Sequence, residues 1–303
     1  LLGPTLLEFG TEAQKEQHIP LICRGESRWC QGYSEPGAGS DLASLQTRAD
    51  DRGDHFIVNG QKIWTSGAQY ADWCFCLVRT DPHHKHEGIS FLLINMKSPG
   101  IEVRPIRLIS GASPFCETFF TDVAVPKDNL VGRLNGGWTI AKRLLQHERG
   151  GQHFITLANG SAGRTGNVAP LDTLAKRYVG IDADGRIADA DLRSRIIRNQ
   201  MEVRAFTLTM ARAQAEAKAN GGPSNVASII KNVGSRVGQD RAELAIEIMG
   251  TSGLGWEGEG FAPEELEQTR LWLSGKASTI YGGTAEIQNN IIAKRILGLL
   301  DHQ

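Results

Sequence analysis

Glu148 lies on the predicted apolar face of a helix, a position at which a carboxylate can act as a base. The residues of this face follow one another at a spacing of three to four: Ala141, Leu144, Leu145, Glu148, Gln152 and Ile155. Desolvation raises the pKa of a carboxyl on such a face towards the neutral range, where general bases work best. The alternative is a structural ion pair with a basic side chain from another element.

A glycine-rich turn near the end of the chain could polarise a carbonyl group. Gly282 and Gly283 precede a predicted helix that has Thr284 as its N-cap. Backbone N–H groups at a helix start are available to a ligand oxygen and stabilise negative charge that develops on it. The alternative is the end of one helix followed by the N-cap of the next. That alternative explains the glycines but not the whole string Ile280–Gln288.

The segment 29–41 has the composition of a ligand loop. Gly37 and Gly39 flank a small residue and let the backbone approach a ligand closely, and Ser34 and Ser40 add hydroxyl groups. An ordinary β-turn is the alternative.

The segment 62–67, which reads Lys-Ile-Trp-Thr-Ser-Gly, is a second candidate ligand site. Trp64 offers a large flat ring and Ser66 a hydroxyl group two residues later. The alternative is that Trp64 is a core aromatic residue, because tryptophan is usually largely buried.

Three regions of different sequence pattern must position these residues. Residues 1–28 are predicted to be helical, with a helix start at Thr11. Asn59-Gly60 predicts a hairpin turn, because type I′ turns need two residues at positive φ. Predicted strands, which are rich in β-branched and aromatic residues, are His55–Val58, Trp73–Arg79, Ile89–Ile94, Gly100–Arg104 and Glu117–Val125. Strands so short and close together predict a small antiparallel barrel or sandwich.

From Gly136 onward the hydrophobic period is that of helices. Long helices are predicted over residues 191–219 and 225–249. A last helix is predicted from about Ala285 to Leu297, with Gly298 at its C′ position. We therefore expect an α+β protein of three parts. These are the remnant of an N-terminal helical domain (1–28), a β domain (29–128) and a C-terminal helical bundle (129–303).

Composition excludes several classes of function. Apolar residues make up 40% of the chain and the formal net charge is −1, so no nucleic-acid or anionic-membrane partner is expected. No apolar run approaches the roughly 20 residues of a membrane span, and the start lacks the features of a signal peptide. The five cysteines are Cys23, Cys30, Cys74, Cys76 and Cys116. Their spacing predicts free thiols in a reducing compartment and no metal site.

The strings Glu35–Asp41 and Ile280–Gln288, in this order of parts, resemble the acyl-CoA dehydrogenases over essentially all 303 residues. The resemblance implies an FAD-dependent oxidoreductase of fatty acid or lipid metabolism, as in β-oxidation, that dehydrogenates the α,β bond of an acyl-CoA. It implies electron transfer to an electron-transfer flavoprotein and a homo- or hetero-oligomeric dimer or tetramer. A cytoplasmic location is expected in bacteria, or the mitochondrial matrix in a eukaryote. The N-terminal helical domain of the family is expected to be mostly absent from this chain.

The resemblance also implies which residues bind the cofactor. Gln31, Tyr33 and Ser34 take positions at the isoalloxazine edge, in the same loop as Gly39 and Ser40, and Ser40 lies where the family contacts phosphate or thioester-side groups. Trp64 takes the position against the flavin, and the hydroxyl of Ser66 bonds its reactive nitrogen. The adenosine half and the ADP part of the flavin, the latter across a subunit boundary, are assigned to Thr284, Glu286, Glu247 and Gly250.

The catalytic assignment follows a subset of the family. Many members have the catalytic glutamate at the position of Gly282, which here has no side chain. A subset has it on a helix just before an arginine, as Glu148 and Arg149 stand here. The backbone N–H of Gly282 is expected to hold the thioester carbonyl. The positions expected to contact substrate are Ser40, Arg149, Tyr281 and Gly283.

Two other functions stay open on the sequence. Gly282 is compatible with a non-catalytic or half-site subunit of a hetero-oligomeric dehydrogenase. So is the region 176–181, where the Arg-x-x-Phe-Gly motif of many relatives cannot be placed. The second of these functions is an acyl-CoA oxidase. A base on the helix, together with the segment 115–120, is similar to what bacterial dehydrogenases of bulky thioesters have. It implies a branched, long or ring-bearing acyl group.

Overall fold

The computed structural model describes residues 1–149, 169–220 and 227–299, with the backbone alone at residues 146–149, 217, 220, 227 and 228. Two compact units divide the chain. The first comprises Leu1–Leu108 and Ala112–Glu148, and the second Ile109–Gly111 and Arg149–Gln303. The predicted boundaries at residues 28 and 128 stay a prediction.

Helices α1 (Leu2–Phe9) and α2 (Glu12–Arg24) open the first unit. The predicted helix start is confirmed, because the Thr11 hydroxyl accepts a hydrogen bond from the backbone N–H of Gln14 and Gln14 Oε1 accepts one from the Thr11 N–H, both at 3.2 Å. The amide of Gln14 also donates to the backbone carbonyl of Leu130 at 2.9 Å. The cap therefore fastens α2 to the end of the β region.

Seven strands form one sheet in the order β1-β4-β2-β3-β7-β6, with β5 paired to β4. They are β1 (Trp29–Gly32), β2 (Arg48–Asp51), β3 (His55–Ser66), β4 (Trp73–Arg79), β5 (Ile89–Asn95), β6 (Ile101–Ile106) and β7 (Phe115–Pro126). Strands β1 and β2 pair with β4 in parallel, and the other four pairings are antiparallel. Helix α3 (Gly137–Arg149) follows.

The predicted hairpin at Asn59-Gly60 is wrong. Strand β3 runs straight through both residues, and its register with β7 shifts between Val58 and Gly60. A Cβ atom on Gly60 would lie 2.6 Å from the Cα of Thr47. The glycine therefore serves a close approach of backbone at an irregularity in the strand, and the turn that joins β2 to β3 lies at residues 52–54.

Gly60→Ala should therefore lower the free energy of unfolding by about 1–3 kcal/mol, because the added methyl group overpacks against the backbone of Thr47. Gly53→Ala is the matched control for positive φ alone, since Gly53 has φ 95° and open space around its hypothetical Cβ. Urea titrations of both variants test this. Equal losses in the two would refute the close-approach explanation.

Strand β4 separates two hydrophobic cores of the first unit. Phe75 and Leu77 pack into one of them, together with Leu6 of α1 and Leu144 of α3. The other holds the alternate residues of β4, namely Cys74, Cys76 and Val78. A strand buried on both faces reads as a continuous apolar run, which β4 does. The five cysteines are free thiols.

The second unit is helical in the part that the structure describes. Its helices are α4 (Leu171–Tyr178), α5 (Ala190–Asn220), α6 (Ala227–Met249), α7 (Pro263–Gly275) and α8 (Ala285–Ile291). The helix prediction for 191–219 is confirmed, and so is that for 225–249 within its described residues. The last helix differs from the prediction, because α8 gives way to a π-helical turn over Ile292–Ile296. Gly298 follows in the left-handed conformation, as predicted.

The α+β fold predicted from the sequence, a β region followed by a helical bundle, is confirmed. Among the described helices, none combines the length and the apolar character that a membrane crossing requires.

Candidate active site

The loop after β1 is a tight turn with an open far side. Glu35 and Ala38 bond each other's backbone at 3.1 and 3.0 Å, with Pro36-Gly37 between them. Gly39 and Ser40, which follow, are exposed, and apart from its chain neighbours no described residue has an atom within 4 Å of a Cβ built on Gly39. The backbone at Gly39 is therefore accessible to a ligand.

The residues before this turn differ in exposure. Gln31 is half-buried in β1, where it pairs with Phe75 of β4. The ring of Tyr33 is in the core, edge-on to Phe75 at 6.1 Å between centroids. Ser34 is half-buried, and its carbonyl accepts a hydrogen bond from the Ile63 N–H at 2.9 Å. The predicted cofactor contacts of Gln31, Tyr33 and Ser34 stay predictions.

A buried ion pair joins the two predicted ligand segments. Lys62 Nζ, which is fully buried, lies 2.8 Å from Glu35 Oε1 and donates to the Tyr33 carbonyl at 3.1 Å. The backbone N–H groups of Gln46 and Thr47 also donate to the Glu35 carboxylate. Burial alone would raise the pKa of Glu35, but the Lys62 ammonium and these donors outweigh it and hold the pKa below its ordinary value.

Sequence analysis missed this pair. Glu35 and Lys62 stand inside the two quoted segments, and each is a charged residue beside residues predicted to contact a ligand or the core. That proximity was the available signal. Their partnership spans 27 residues, which no local pattern reports.

Trp64 is exposed, so the core alternative for this residue is wrong. Its side chain is 51% exposed and lies edge-on to Phe115 of β7 at 6.0 Å between centroids. Its φ is 61°, a left-handed value that is strained for a bulky residue. The register between β3 and β7 shifts here, between Lys62 and Thr65, and Ser66 is exposed two residues after Trp64. An exposed aromatic ring and a hydroxyl group therefore stand at an irregular strand end.

Glu148 and Arg149 lie in the last turn of α3, where the structure describes their backbone and not their side chains. The predicted helix is confirmed for its described residues, and Ala141 and Leu144 of its predicted apolar face are buried. Gln152 and Ile155 lie outside the described residues. The assignment of Glu148 as the base stays a prediction.

The glycine turn of the second unit has two consecutive left-handed residues, Gly282 at φ 68° and Gly283 at φ 89°. Only glycine adopts this freely, and a Cβ on Gly283 would lie 2.7 Å from Gln288 Nε2. The Thr284 hydroxyl accepts from the Ile287 N–H at 3.3 Å, which confirms the predicted N-cap. Gln288, fully buried, donates to the Gly282 carbonyl at 3.1 Å. Tyr281 beside the turn is 36% exposed.

Lys231 of α6 is a buried cation near this turn. It is fully buried, and its Nζ has no hydrogen-bond partner in the part of the chain that the structure describes. Burial lowers its pKa, and the nearby Glu286 carboxylate opposes that effect. Glu286 itself is exposed, and its own backbone N–H, the Thr284 hydroxyl and Lys231 lower its pKa.

Lys231→Met should raise the free energy of unfolding near pH 7 by about 1–3 kcal/mol, because it removes a buried polar group that has no acceptor among the described residues. The lowered pKa means that the folded state binds fewer protons than the unfolded chain between that pKa and the ordinary value. The wild type should therefore gain stability relative to the variant as the pH rises through that window. Urea titrations at neutral and alkaline pH, with the exposed Lys218→Met as control, test this. A less stable Lys231→Met protein at pH 7 would contradict it.

The positions assigned to the ADP part lie at the end of α6. Glu247 forms a two-bond ion pair with Arg195 of α5, with N–O distances of 2.5 and 2.6 Å. Gly250, three residues on, has φ 55° and open space around a built Cβ. In the region without a placed arginine motif, Arg177 bonds Glu264 at 3.3 Å.

Beside Arg177, Tyr178 donates to Glu265 at 2.6 Å. Burial and this carboxylate raise the pKa of Tyr178 to about 12. Both side chains therefore serve contacts between α4 and α7.

The structure brings the site residues together in two groups. In the first unit, the Lys62–Glu35 pair and the Ile63–Ser34 bond hold the loop before Gly39 against the strand that carries Trp64 and Ser66. In the second unit, the glycine turn, Thr284 and Glu286 share one turn of chain. Among the described residues, no group of three or more potential ligand side chains could hold a metal ion.

Comparison with known proteins gives two family matches. The family model described as "Acyl-CoA dehydrogenase, middle domain" matches residues 30–123, and that described as "Acyl-CoA dehydrogenase, C-terminal domain" matches residues 135–297. Acyl-CoA dehydrogenase IpdE1 of Mycobacterium tuberculosis is 39% identical over 99% of this chain and 74% of that protein.

Solved structures give the same result. A structure described as "Tcur3481-Tcur3483 steroid ACAD" superposes with a TM-score of 0.84 at 32% identity, over 99% of this chain and 76% of that one. The ChsE4-ChsE5 complex from Mycobacterium tuberculosis superposes with a TM-score of 0.85 at 32% identity and the same coverage.

Proposed function

This chain belongs to the acyl-CoA dehydrogenase family of flavin-dependent oxidoreductases, and we propose that it dehydrogenates the α,β bond of bulky, ring-bearing acyl-CoA thioesters with FAD. The family match carries the dehydrogenation, and Gly282 is the observation that carries the assignment of the base. The turn position has no side chain, so it offers no carboxylate. We assign the base to Glu148, which stands before Arg149 on α3.

Residues of the first unit fit a flavin ring. Trp64 offers an exposed indole, Ser66 an exposed hydroxyl and Gly39 a backbone with open space. A bound flavin would supply the two-electron acceptor for the β hydrogen. Trp64 would stack against the ring, and the Ser66 hydroxyl would donate to a ring nitrogen, which favours the electron-rich form.

Residues of the chain would supply the proton chemistry. The Glu148 carboxylate would take the α proton of the thioester, and the Gly282 N–H would donate to the thioester carbonyl oxygen. Polarising that carbonyl makes the α proton more acidic, so the two roles support each other. The Gln288 side chain bonds the Gly282 carbonyl in the following peptide, so Gly282 is fixed on its C-terminal side in the left-handed conformation.

The substrate class rests on relatives. One similar structure is described as a "steroid ACAD", at 32% identity over 99% of this chain. This likeness supports a ring-bearing acyl group over a short straight one. An electron-transfer flavoprotein is the acceptor that the family resemblance implies. The same resemblance implies a cytoplasmic location in bacteria.

Anaerobic bleaching of the flavin absorbance tests the proposal. Purified protein would receive a panel of acyl-CoAs that includes steroid side-chain, long straight and short straight thioesters. Bleaching that is fastest with the ring-bearing thioesters is expected. Equal or faster bleaching with short straight thioesters would refute the substrate class. Peroxide formation at the turnover rate under air would favour the oxidase alternative.

The second candidate function is a half-site subunit of a mixed oligomer. Gly282 and the region 176–181, which lacks a placed arginine motif, support it. So does the similarity to the ChsE4-ChsE5 complex, which has two different chains by its description. Colourless protein that takes up flavin only when co-expressed with a sister subunit would favour this candidate. Flavin-loaded protein that turns over alone would exclude it.

A further inference from the structure

Trp64 has a strained backbone that its surroundings must impose. A bulky residue at φ 61° costs about 1–3 kcal/mol and persists only where neighbouring contacts fix it. Half of the Trp64 side chain is exposed, so packing of the indole alone does not account for the conformation. The cause is to be sought in the residues on either side.

The residues before Trp64 are held by buried polar contacts. Lys62 Nζ donates to Glu35 Oε1 at 2.8 Å and to the Tyr33 carbonyl at 3.1 Å, and no part of its side chain is exposed. The Ile63 N–H donates to the Ser34 carbonyl at 2.9 Å. Strand β3 is thus tied to the loop after β1, up to the residue before Trp64.

The residues after Trp64 are held as firmly. The buried Thr65 hydroxyl donates to the Cys116 carbonyl at 2.9 Å and lies 2.8 Å from the Thr118 hydroxyl. Pairing with β7 resumes at Thr65. Ile63 and Trp64 lie where the register shifts, and Trp64 is the one of these two residues that takes a positive φ.

We propose that Lys62 is a positioning residue: its buried pair with Glu35 holds Trp64 in the left-handed conformation and presents the indole to the flavin. Only the contact between Trp64 and the flavin rests on the proposed function. A pair of apolar side chains could fill the same space. It would make neither the bond between positions 62 and 35 nor the bond to the Tyr33 carbonyl. The two charges therefore fix the conformation of the segment 62–66 more than they stabilise the fold.

The test separates position from stability. Lys62→Met/Glu35→Gln removes both charges together and leaves no unpaired ion. Trp64 emission is measured in flavin-free full-length protein. For the wild type and for the double variant, the spectrum of the same protein with Trp64→Phe added is subtracted. The double variant should keep most of the wild-type urea midpoint. Its Trp64 quenching by acrylamide should change, and its flavin affinity should fall by about tenfold or more.

Wild-type Trp64 quenching in the double variant would overturn the inference, whatever the flavin affinity. Should the double variant fail to fold, Lys62→Met alone is measured. It removes both Lys62 bonds and leaves the Gln46 and Thr47 N–H groups on the Glu35 carboxyl, and unchanged Trp64 quenching there would equally overturn the inference. Because the Trp64 signal needs neither flavin nor substrate, it decides the inference even if the bleaching experiment refutes the proposed dehydrogenation.

Discussion

The Glu148→Gln variant should turn over acyl-CoA about 10²–10⁴-fold more slowly than the wild type, the contribution that a positioned general base makes. The amide is close to the carboxylate in shape but cannot take the α proton. Flavin content, read from the ratio of flavin to protein absorbance, should stay at the wild-type level, because the proposed cofactor contacts lie elsewhere. Steady-state turnover with an artificial electron acceptor measures the loss.

His147→Gln is the matched control for this variant. It makes a change of similar size one residue away on the same helix, at a position about 100° of helical rotation from residue 148. Its turnover should stay within a few-fold of the wild type. Near-normal turnover in Glu148→Gln would show that Glu148 is not the base and would favour a base supplied by another subunit.

Glu35→Ala should lower the free energy of unfolding by about 3–5 kcal/mol, because it leaves the Lys62 ammonium buried without its counter-ion. The backbone N–H groups of Gln46 and Thr47 lose their acceptor at the same time. Urea titration at neutral pH, followed by far-ultraviolet circular dichroism, gives the difference.

Glu102→Ala provides the comparison. Glu102 bonds Arg104 at 2.7 Å as well, but both side chains are more than half exposed, and such pairs are worth about 0–1 kcal/mol. Similar losses in the two variants would refute the role of burial.

The advantage of the wild type over Glu35→Ala should also depend on pH. The pKa of Glu35 is lower in the folded state, so its contribution is complete above the ordinary carboxyl value. The stabilisation by Glu35 should shrink as the pH falls from the ordinary carboxyl pKa to below the lowered pKa of the folded state.

Helical periodicity predicted α5 well because that signal is local and repeats over 31 residues. The Thr11 and Thr284 caps were predictable for the same reason, since a cap and its partner lie three residues apart. Asn59-Gly60 misled the prediction. Its local signal is that of a turn, but the requirement for glycine comes from Thr47 of another strand.

The parts of the candidate site that sequence analysis missed are all non-local. The Lys62–Glu35 pair and the Arg195–Glu247 pair join residues far apart in the chain. The left-handed conformation of Trp64 results from a register shift against β7. A single sequence reports what one residue prefers, and these features depend on which residues become neighbours after folding.

The pairing of β3 with β7 bears on how this chain is made. Gly60 pairs with Phe120, 60 residues later, so the strand that carries Trp64 cannot complete its ladder until the ribosome has released residue 126. Contacts between such distant residues slow folding, because the chain must lose loop entropy before it gains them. During synthesis β3 therefore spends seconds as an unpaired edge, a state prone to aggregation. A chaperone that covers this edge, or faster translation through residue 126, should therefore improve the yield of soluble protein.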